Sequence, residues 1–359
     1  MASRFYALKV KEVKKESPDC VSLAFEVPEA EKNTFSFTQG QYLTLKAQIN
    51  NEEIRRSYSI CSAPCEKELR VAIKRVDGGI FSTWANTAIQ AGDVMEVMPP
   101  QGKFFTPLIP DASKHYVAFA AGSGITPVIS IIKETLSKEQ QSRFTLVYSN
   151  RSRSSIIFFE ALEALKNKYL DRFNLILLLS REKMETPLHF GRINHEKLEQ
   201  LSSLITYKSA DAFFICGPEE LIVNVRDFLQ DSGIDAQKIH FELFGTPGQY
   251  KKAAAEKTGA VVSEGPKSHV VVKLDGRTFT FDLAFDSESI LDAASRNGAD
   301  VPYSCKGGVC CTCRAKLIEG EVDMEVNYAL DPEEVAHGYI LTCQSHPRTE
   351  KVVVDFDER

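Results

Sequence analysis

The chain has 359 residues, 43% hydrophobic and 26% charged, with a formal net charge of −6. That length allows two or three domains, the composition is that of an ordinary globular protein, and no basic stripe of a nucleic-acid binder is present. No apolar run reaches the ~18 residues of a membrane helix, and the opening MASRFYALKVKEVKKE lacks the apolar stretch of a secretion signal. The nine cysteines are therefore expected as reduced thiols in a cytoplasmic protein.

Residues 1–110 hold short strand-type runs: FYALKVKEV, VSLAFEV, QYLTLKAQI, RSYSI, ELRVAIKRV and DVMEVM. Turn residues separate them at the intervals of a small antiparallel β-barrel. One helical piece, FSTWANTAIQ, interrupts them and ends before Gly92. Arg56-Ser57-Tyr58-Ser59 closes one strand. An arginine fork grips phosphate, a tyrosine ring stacks on an isoalloxazine, and a serine hydroxyl reaches its N5; an ordinary surface strand reads the same way. Further on, Ile73-Lys74-Arg75 precedes Gly78-Gly79-Ile80-Phe81-Ser82, where the helix begins. Backbone amides at a glycine-rich helix start suit a second phosphate, although the glycine pair also suits a plain turn. Two phosphate-suited places in one barrel favour FAD over FMN. Cys20, Cys61 and Cys65 have no ligand spacing and read as packing residues.

Residues 111–245 alternate strictly between strands and helices. The strands are HYVAFAA, RFTLVYS, FNLILLLS, DAFFICG and KIHFELF; the helices are PVISIIKETLS, SIIFFEALEALKNKY, HEKLEQLSSL and EELIVNVRDFLQ. Unbroken apolar strands between amphipathic helices make a doubly wound parallel sheet, an α/β nucleotide-binding fold. Its first strand runs into Gly122-Ser123-Gly124-Ile125-Thr126-Pro127. The third glycine of the dinucleotide fingerprint is missing, but strand, glycine turn and helix follow in the right order. Thr126 is expected as the N-cap and Pro127 as the first helical residue, leaving free N–H groups and the positive dipole end for phosphate. The second strand ends Ser149-Asn150-Arg151, where an NAD enzyme places an acid; serine and arginine suit a 2′-phosphate, hence NADP. The fourth ends Cys216-Gly217-Pro218, at the carboxyl edge where ligands of such folds bind.

Residues 246–267 are rich in Gly, Ala and Lys and read as a linker. Residues 268–359 open on a hairpin with an Asp275-Gly276 turn, then a helix that stops at Gly298. This segment is acidic: seventeen Asp/Glu against nine Lys/Arg from Ser268 onward, thirty-two against thirty-four before it. Such a face steers encounter with a basic protein or simply solubilises the surface. Within it, Cys305, Cys310 and Cys313 are spaced C-x4-C-x2-C, with Cys343 downstream, the plant-type [2Fe–2S] pattern. Two bridged irons need four thiolates from different directions; one tight loop gives three, and a separate segment closes the cage. Gly307 and Gly308 let the loop fold closely with its amides turned inward. Zinc favours two C-x2-C-type pairs, and disulfides belong to small secreted domains. Cys311 offers a rival C-x5-C-x-C register, but adjacent thiols rarely point the same way, so it is not expected to be a ligand.

In order along nearly the whole chain, these motifs resemble the ferredoxin–NADP reductase superfamily followed by a plant-type ferredoxin of α+β, β-grasp type. The strings RRSYSICS, AAGSGITP, CKGGVCCTC and VNYALDPEEVAHGYILTCQ are most similar to reductase components of ring-epoxidising multicomponent oxygenases of phenylacetate catabolism. The resemblance implies electron flow from NADPH through FAD and [2Fe–2S] to an oxygenase, expected to be di-iron, with no membrane or nucleic-acid partner. Acceptors of another kind, such as a steroid or alkane hydroxylase, a desaturase or a cytochrome P450, remain alternatives. A redox sensor or a zinc-stapled binding protein is the rival class, though a sensor has little use for a helix start aimed at a dinucleotide. The resemblance further implies that Ser59, Thr126 and Cys216 act at hydride transfer, and that Glu242 and Phe244 lie near the flavin. The full flavin set is then Arg56, Ser57, Tyr58, Ser59, Ile73, Lys74, Gly79, Ile80, Phe81 and Ser82, with Glu242 and Phe244. The nucleotide set is Gly122, Gly124, Thr126, Pro127, Ser149, Arg151, Cys216, Gly217 and Pro218.

Overall fold

The computed structural model describes residues 5–184, 186–244 and 266–358. The stretch read as a linker lies, up to residue 265, outside the described residues; its last residue, Lys267, instead opens a strand.

The first unit is a six-stranded antiparallel sheet: β1 (Tyr6–Ser17), β2 (Cys20–Glu26), β3 (Tyr42–Ile49), β4 (Glu52–Ser59), β5 (Leu69–Lys74) and β6 (Val94–Val97). Its order is β4-β3-β6-β1-β2-β5, and an Ile60–Val71 bridge brings the two edges together. Closure removes exposed edges and encloses an apolar core around Leu8, Leu23, Leu43 and Val71. Helix α1 (Ile80–Thr87) plugs the barrel with Phe81 and Ala85.

The second unit contains β7 (His115–Ala121), α2 (Ile125–Lys138), β8 (Arg143–Asn150), α3 (Phe159–Lys168), β9 (Phe173–Leu179), α4 (His195–Leu201), β10 (Ala212–Gly217), α5 (Glu219–Asp231) and β11 (Ile239–Leu243). All strand pairs are parallel, in the order β11-β10-β7-β8-β9. The connection reverses direction between β7 and β10, so the switch point lies where both glycine motifs leave the sheet. One apolar core covers each face. The first also takes in Cys20, Cys61, Ala72 and Phe104 of the barrel, so the two units share an apolar core.

Three local expectations are corrected. Helix α2 starts at Ile125 with Gly124 as N-cap, because the 3₁₀ turn Gly122–Gly124 runs straight into it; Thr126 and Pro127 are second and third residues. Helix α3 starts at Phe159, since Phe158 sits at φ 61° in the left-handed region and breaks the helical run. Cys65 is exposed, lying on the surface turn Pro64–Glu66, whereas Cys20 and Cys61 are buried.

The third unit is a mixed sheet built from β12 (Lys267–Leu274), β13 (Arg277–Ala284), β14 (Arg314–Glu319), β15 (Val322–Met324), β16 (Tyr339–Leu341), β17 (Ser345–Pro347) and β18 (Lys351–Asp355). Its five-stranded order is β13-β12-β18-β14-β16, with β12 and β18 parallel and β15 paired to β17. A helix, Ile290–Arg296, is capped by the Ser289 hydroxyl and packs Ile290, Leu291, Ala293 and Ala294 into the core. Sheet grasping helix is the β-grasp arrangement. It leaves the loop 304–313 at one end.

Candidate functional site

At the switch point the two nucleotide motifs touch. A Cβ added to Gly124 would lie 2.0 Å from the Cys216 carbonyl oxygen, so only glycine permits this approach of β7's turn to β10's end. The Tyr148 hydroxyl, buried under the turn, donates to the Gly122 carbonyl at 2.9 Å. Holding that carbonyl inward turns the neighbouring amides outward. Tyr148 lies outside the set expected from the sequence; it sits mid-strand, where an aromatic reads as core. The Thr126 hydroxyl donates to the Ser123 carbonyl at 3.0 Å, so the threonine stiffens the turn. No side chain caps α2; the Ile125 N–H is taken by the Gly122 and Ser123 carbonyls, and the helix start offers its positive dipole end to a ligand. Ser149 is buried at the end of β8 and Arg151 is exposed just past it. Cys216 is fully buried, and burial holds its thiol well above the usual range, in the neutral form. Gly217 and Pro218 lead into α5.

In the barrel, β4 alternates. Arg56 is exposed, and Tyr58 leans on Phe81 with ring centroids 5.6 Å apart. Ser57 points to the other face, where its hydroxyl lies 3.2 Å from Thr44 and donates to Ser304 at 2.8 Å. The Ser57 side chain is thus engaged with the third unit. Ile73 and Phe81 have buried side chains in the barrel core, so only their backbone faces outward. Ser82 accepts from Val76 N–H and donates to the Gly79 carbonyl, which shapes the helix start. Gly79 is the N-cap of α1, with no capping side chain, and Ile80 is half exposed beside it. An exposed arginine, one of whose nitrogens donates to the Arg55 carbonyl, and an uncapped helix start are groups of the kind that fit the two phosphates of FAD. Lys74 reaches further than expected: its Nζ pairs with Asp19 at 3.6 Å and lies 3.7 Å from the Cβ position of Gly122. It therefore stands between the two nucleotide places.

Ser59, buried at the end of β4, donates to Glu242 Oε2 at 3.2 Å. Glu242 and Ser59 are brought together from different units, and Phe244 packs beside Cys216 against the first core. Burial pushes the Glu242 carboxyl up to about 8, with the Ser59 hydroxyl pulling down and Cys310 pushing up. The folded chain then holds a proton from pH 4.5, the ordinary value, to about 8. Raising the pH through that window costs stability, because the unfolded chain has already lost the proton. Glu242→Gln is expected to flatten this slope by up to about 1.4 kcal/mol per pH unit. Denaturant melts at pH 5 and 8 check it; equal slopes in parent and variant count against it.

The four spaced cysteines converge as two pairs. Cys310 Sγ lies 3.2 Å from Cys305 Sγ, and Cys313 and Cys343 are near enough for each to shift the other's thiol, Cys313 upward and Cys343 downward. Two thiolates for each of two irons is the donor set that the cluster requires. Inward amides and a side-chain amide meet the sulfurs: Gly307 N–H to Cys305 at 3.3 Å and Gln344 Nε2 to Cys343 at 3.6 Å. Gly308, at φ 72°, lets the loop lie against Val326, whose carbonyl would be 2.6 Å from a Cβ there. Cys311 points away, toward the Ala329 carbonyl at 3.2 Å, and its thiol is pushed up to about 12 by burial.

Three family models cover the three units. They describe an oxidoreductase FAD-binding domain at residues 7–105, an oxidoreductase NAD-binding domain at 119–227, and a 2Fe-2S iron-sulfur cluster binding domain at 272–348. The chain is 45% identical to one component of the 1,2-phenylacetyl-CoA epoxidase of Escherichia coli (strain K12), across 99% of this chain and 98% of that one. The chain belongs to the flavin and iron–sulfur reductases of multicomponent oxygenases. This reductase is also 34% identical to the ferredoxin reductase component of 3-ketosteroid-9-alpha-monooxygenase of Rhodococcus rhodochrous, across 99% and 97% of the two chains. Its fold matches phthalate dioxygenase reductase with a TM-score of 0.60 over 98% of each chain, at 24% identity, a likeness of fold alone. It is an NAD(P)H-dependent oxidoreductase that uses FAD and a [2Fe–2S] cluster to feed an oxygenase. Among the described residues no helix is long and apolar enough to cross a membrane.

Proposed function

We propose that this reductase takes its electrons from NADPH and serves a di-iron oxygenase that epoxidises an aryl-acetyl-CoA in the cytosol. The observation that carries the reading is the 45% identity to the Escherichia coli epoxidase component along both whole chains. Units at 1–110, 111–245 and 268–359, joined through 246–267, would each hold one carrier. Bound FAD accepts an electron pair from the nicotinamide and releases it singly to the cluster.

The residues divide that work. Arg56, Lys74 and the α1 start at Gly79 would hold flavin phosphates, and Tyr58 its ring. The α2 start, with Gly122, Gly124 and Thr126, would hold the pyrophosphate of the nucleotide. Cys216, buried, and Phe244, half-buried, would wall the nicotinamide side with uncharged surface that limits water. Ser59 presents its hydroxyl with its orientation set by Glu242. Cys305 with Cys310, and Cys313 with Cys343, would hold one iron each.

Arg151 is the residue that favours NADPH. It is exposed just past the end of β8, where a 2′-phosphate would lie; residues 149–155 include no acid to prefer a 2′-hydroxyl, and the neighbouring Glu182 carboxylate is held by the Arg153 N–H at 2.7 Å. Arg151→Ala is expected to lower kcat/KM for NADPH by about tenfold to a hundredfold, the range of one lost charge-assisted contact. NADH turnover should change little. Equal losses with both nucleotides would remove Arg151 from the 2′-phosphate site.

The acceptor is tested by reconstitution. With the epoxidase oxygenase components and phenylacetyl-CoA, NADPH-dependent oxygen uptake coupled to product is expected. The 34% likeness to the ketosteroid monooxygenase reductase supports the second reading, a steroid oxygenase. Coupled turnover with that partner alone would replace the first.

A further inference from the structure

Strand β4 has two working faces, and before it reaches Ser59 the second is turned to the iron–sulfur unit rather than to the flavin. With a two-residue period, Arg56 and Tyr58 look one way, while Arg55 and Ser57 look toward the iron–sulfur unit. The Arg55 guanidinium is buried, reaches Asp300 at 3.1 Å, and stacks over the Tyr303 ring 4.6 Å from its centroid. Ser57 donates to the hydroxyl of Ser304, the residue before Cys305. On the neighbouring strand, the Tyr42 hydroxyl lies 3.3 Å from Thr312 Oγ1, between Cys310 and Cys313, and both side chains are buried.

We propose that this face of β3–β4 is the dock from which the cluster receives electrons, with Tyr42 and Ser304 as positioning residues for flavin-to-cluster transfer. The proposal rests on the reading that bound FAD is the donor and the cluster the acceptor. The strand that would hold the flavin then also registers the cluster loop, and a shift of one moves the other.

The composition of the seam supports a dock that sets register more than strength. Among the described residues, no buried apolar cluster joins the core of the iron–sulfur unit to that of the barrel. Val309 alone of the cysteine loop packs on an apolar core of the nucleotide unit. Each charged contact has one solvated partner: Asp300, 89% exposed, meets the buried Arg55, and Lys103, 61% exposed, meets the buried Glu334. A polar seam of this kind opens readily, which delivery to a separate oxygenase requires. The two hydroxyl pairs, Ser57–Ser304, part-buried, and Tyr42–Thr312, buried, are then what select the docked geometry.

NADPH gives up a hydride, which is two electrons and one proton. The two electrons cross the seam one at a time, each reducing one ferric ion of the cluster to ferrous. Delivery to the acceptor re-oxidises the cluster between them, and the proton leaves to water.

The test uses the full chain loaded with FAD and cluster, as Tyr42→Phe, Ser304→Ala and the pair. After anaerobic mixing with NADPH, flavin bleaching should keep the parent rate. Cluster reduction should slow about threefold to tenfold in each single variant, the effect of one lost hydrogen bond on a docking equilibrium. It should slow further in the double variant, and Ser304→Thr should restore it. Hydrogen exchange of backbone amides 301–313 should quicken in the same variants, a readout independent of turnover. Parent-like cluster reduction and exchange in the double variant overturn the proposal. A parent protein that NADPH does not bleach at all overturns the functional reading beneath it, and the two failures are told apart by the flavin phase.

Discussion

Cys343→Ser is expected to disconnect the reductase from its oxygenase while leaving the flavin half working. Cys343 is buried behind β16 and pairs with Cys313; the other three cysteines of the set come from the loop 305–313. Without it, one iron keeps a single thiolate. Loss of an outer-shell partner alone commonly costs 10–100-fold, so loss of a ligand should cut NADPH-driven oxygenase turnover by at least about a hundredfold. Reduction of ferricyanide, which takes electrons directly from flavin, should persist at near the parent rate. Metal binding also supports folding, so the iron–sulfur unit should melt earlier and iron content should fall. Near-parent oxygenase turnover in the serine variant would remove Cys343 from the ligand set.

Gly124→Ala should have the other large effect, at the opposite end of the chain of carriers. The added methyl meets backbone: the Cys216 carbonyl oxygen at 2.0 Å, its carbon at 2.4 Å and the Gly217 nitrogen at 2.8 Å. Neither neighbour is a flexible side chain, so β7's turn or β10's end must move. Overpacking of this kind costs about 1–3 kcal/mol, visible as a lower melting temperature. The displaced amides are the ones that would face the dinucleotide, so NADPH reduction of the flavin should fall by about a hundredfold or more, the cost of a misplacement near 1 Å. Dithionite, which needs no nucleotide site, should still reduce flavin and cluster normally. Unimpaired reduction by NADPH would show that the contact of the two motifs is dispensable.

The parts legible in the sequence are those encoded by near neighbours. The C-x4-C-x2-C loop, the strand–glycine–helix turns and the alternation of apolar strands with amphipathic helices all act over a few residues. So does the Asp275-Gly276 turn, whose two residues have φ of 53° and 68°. The start of α2 escapes the sequence because capping rules do not see a 3₁₀ turn running on into the helix. The start of α3 escapes it because apolar periodicity continues through Phe158 while its backbone does not. Cys65 reads as interior because a cysteine without ligand spacing usually packs; its turn carries it to the surface.

The sequence by itself determined the three units and their carriers, and singled out the four cysteines that would hold iron, because each depends mainly on spacing within one short segment. Only the tertiary structure decided that Ser59 meets Glu242, 183 positions away, that Lys74 reaches Gly122, and that Ser57 turns from the flavin face to Ser304. Those contacts join segments whose separation along the chain carries no information about their distance in space. They exist because a closed barrel, a sheet with a switch point and a β-grasp unit pack their working edges together, and each strand can offer its two faces to different neighbours.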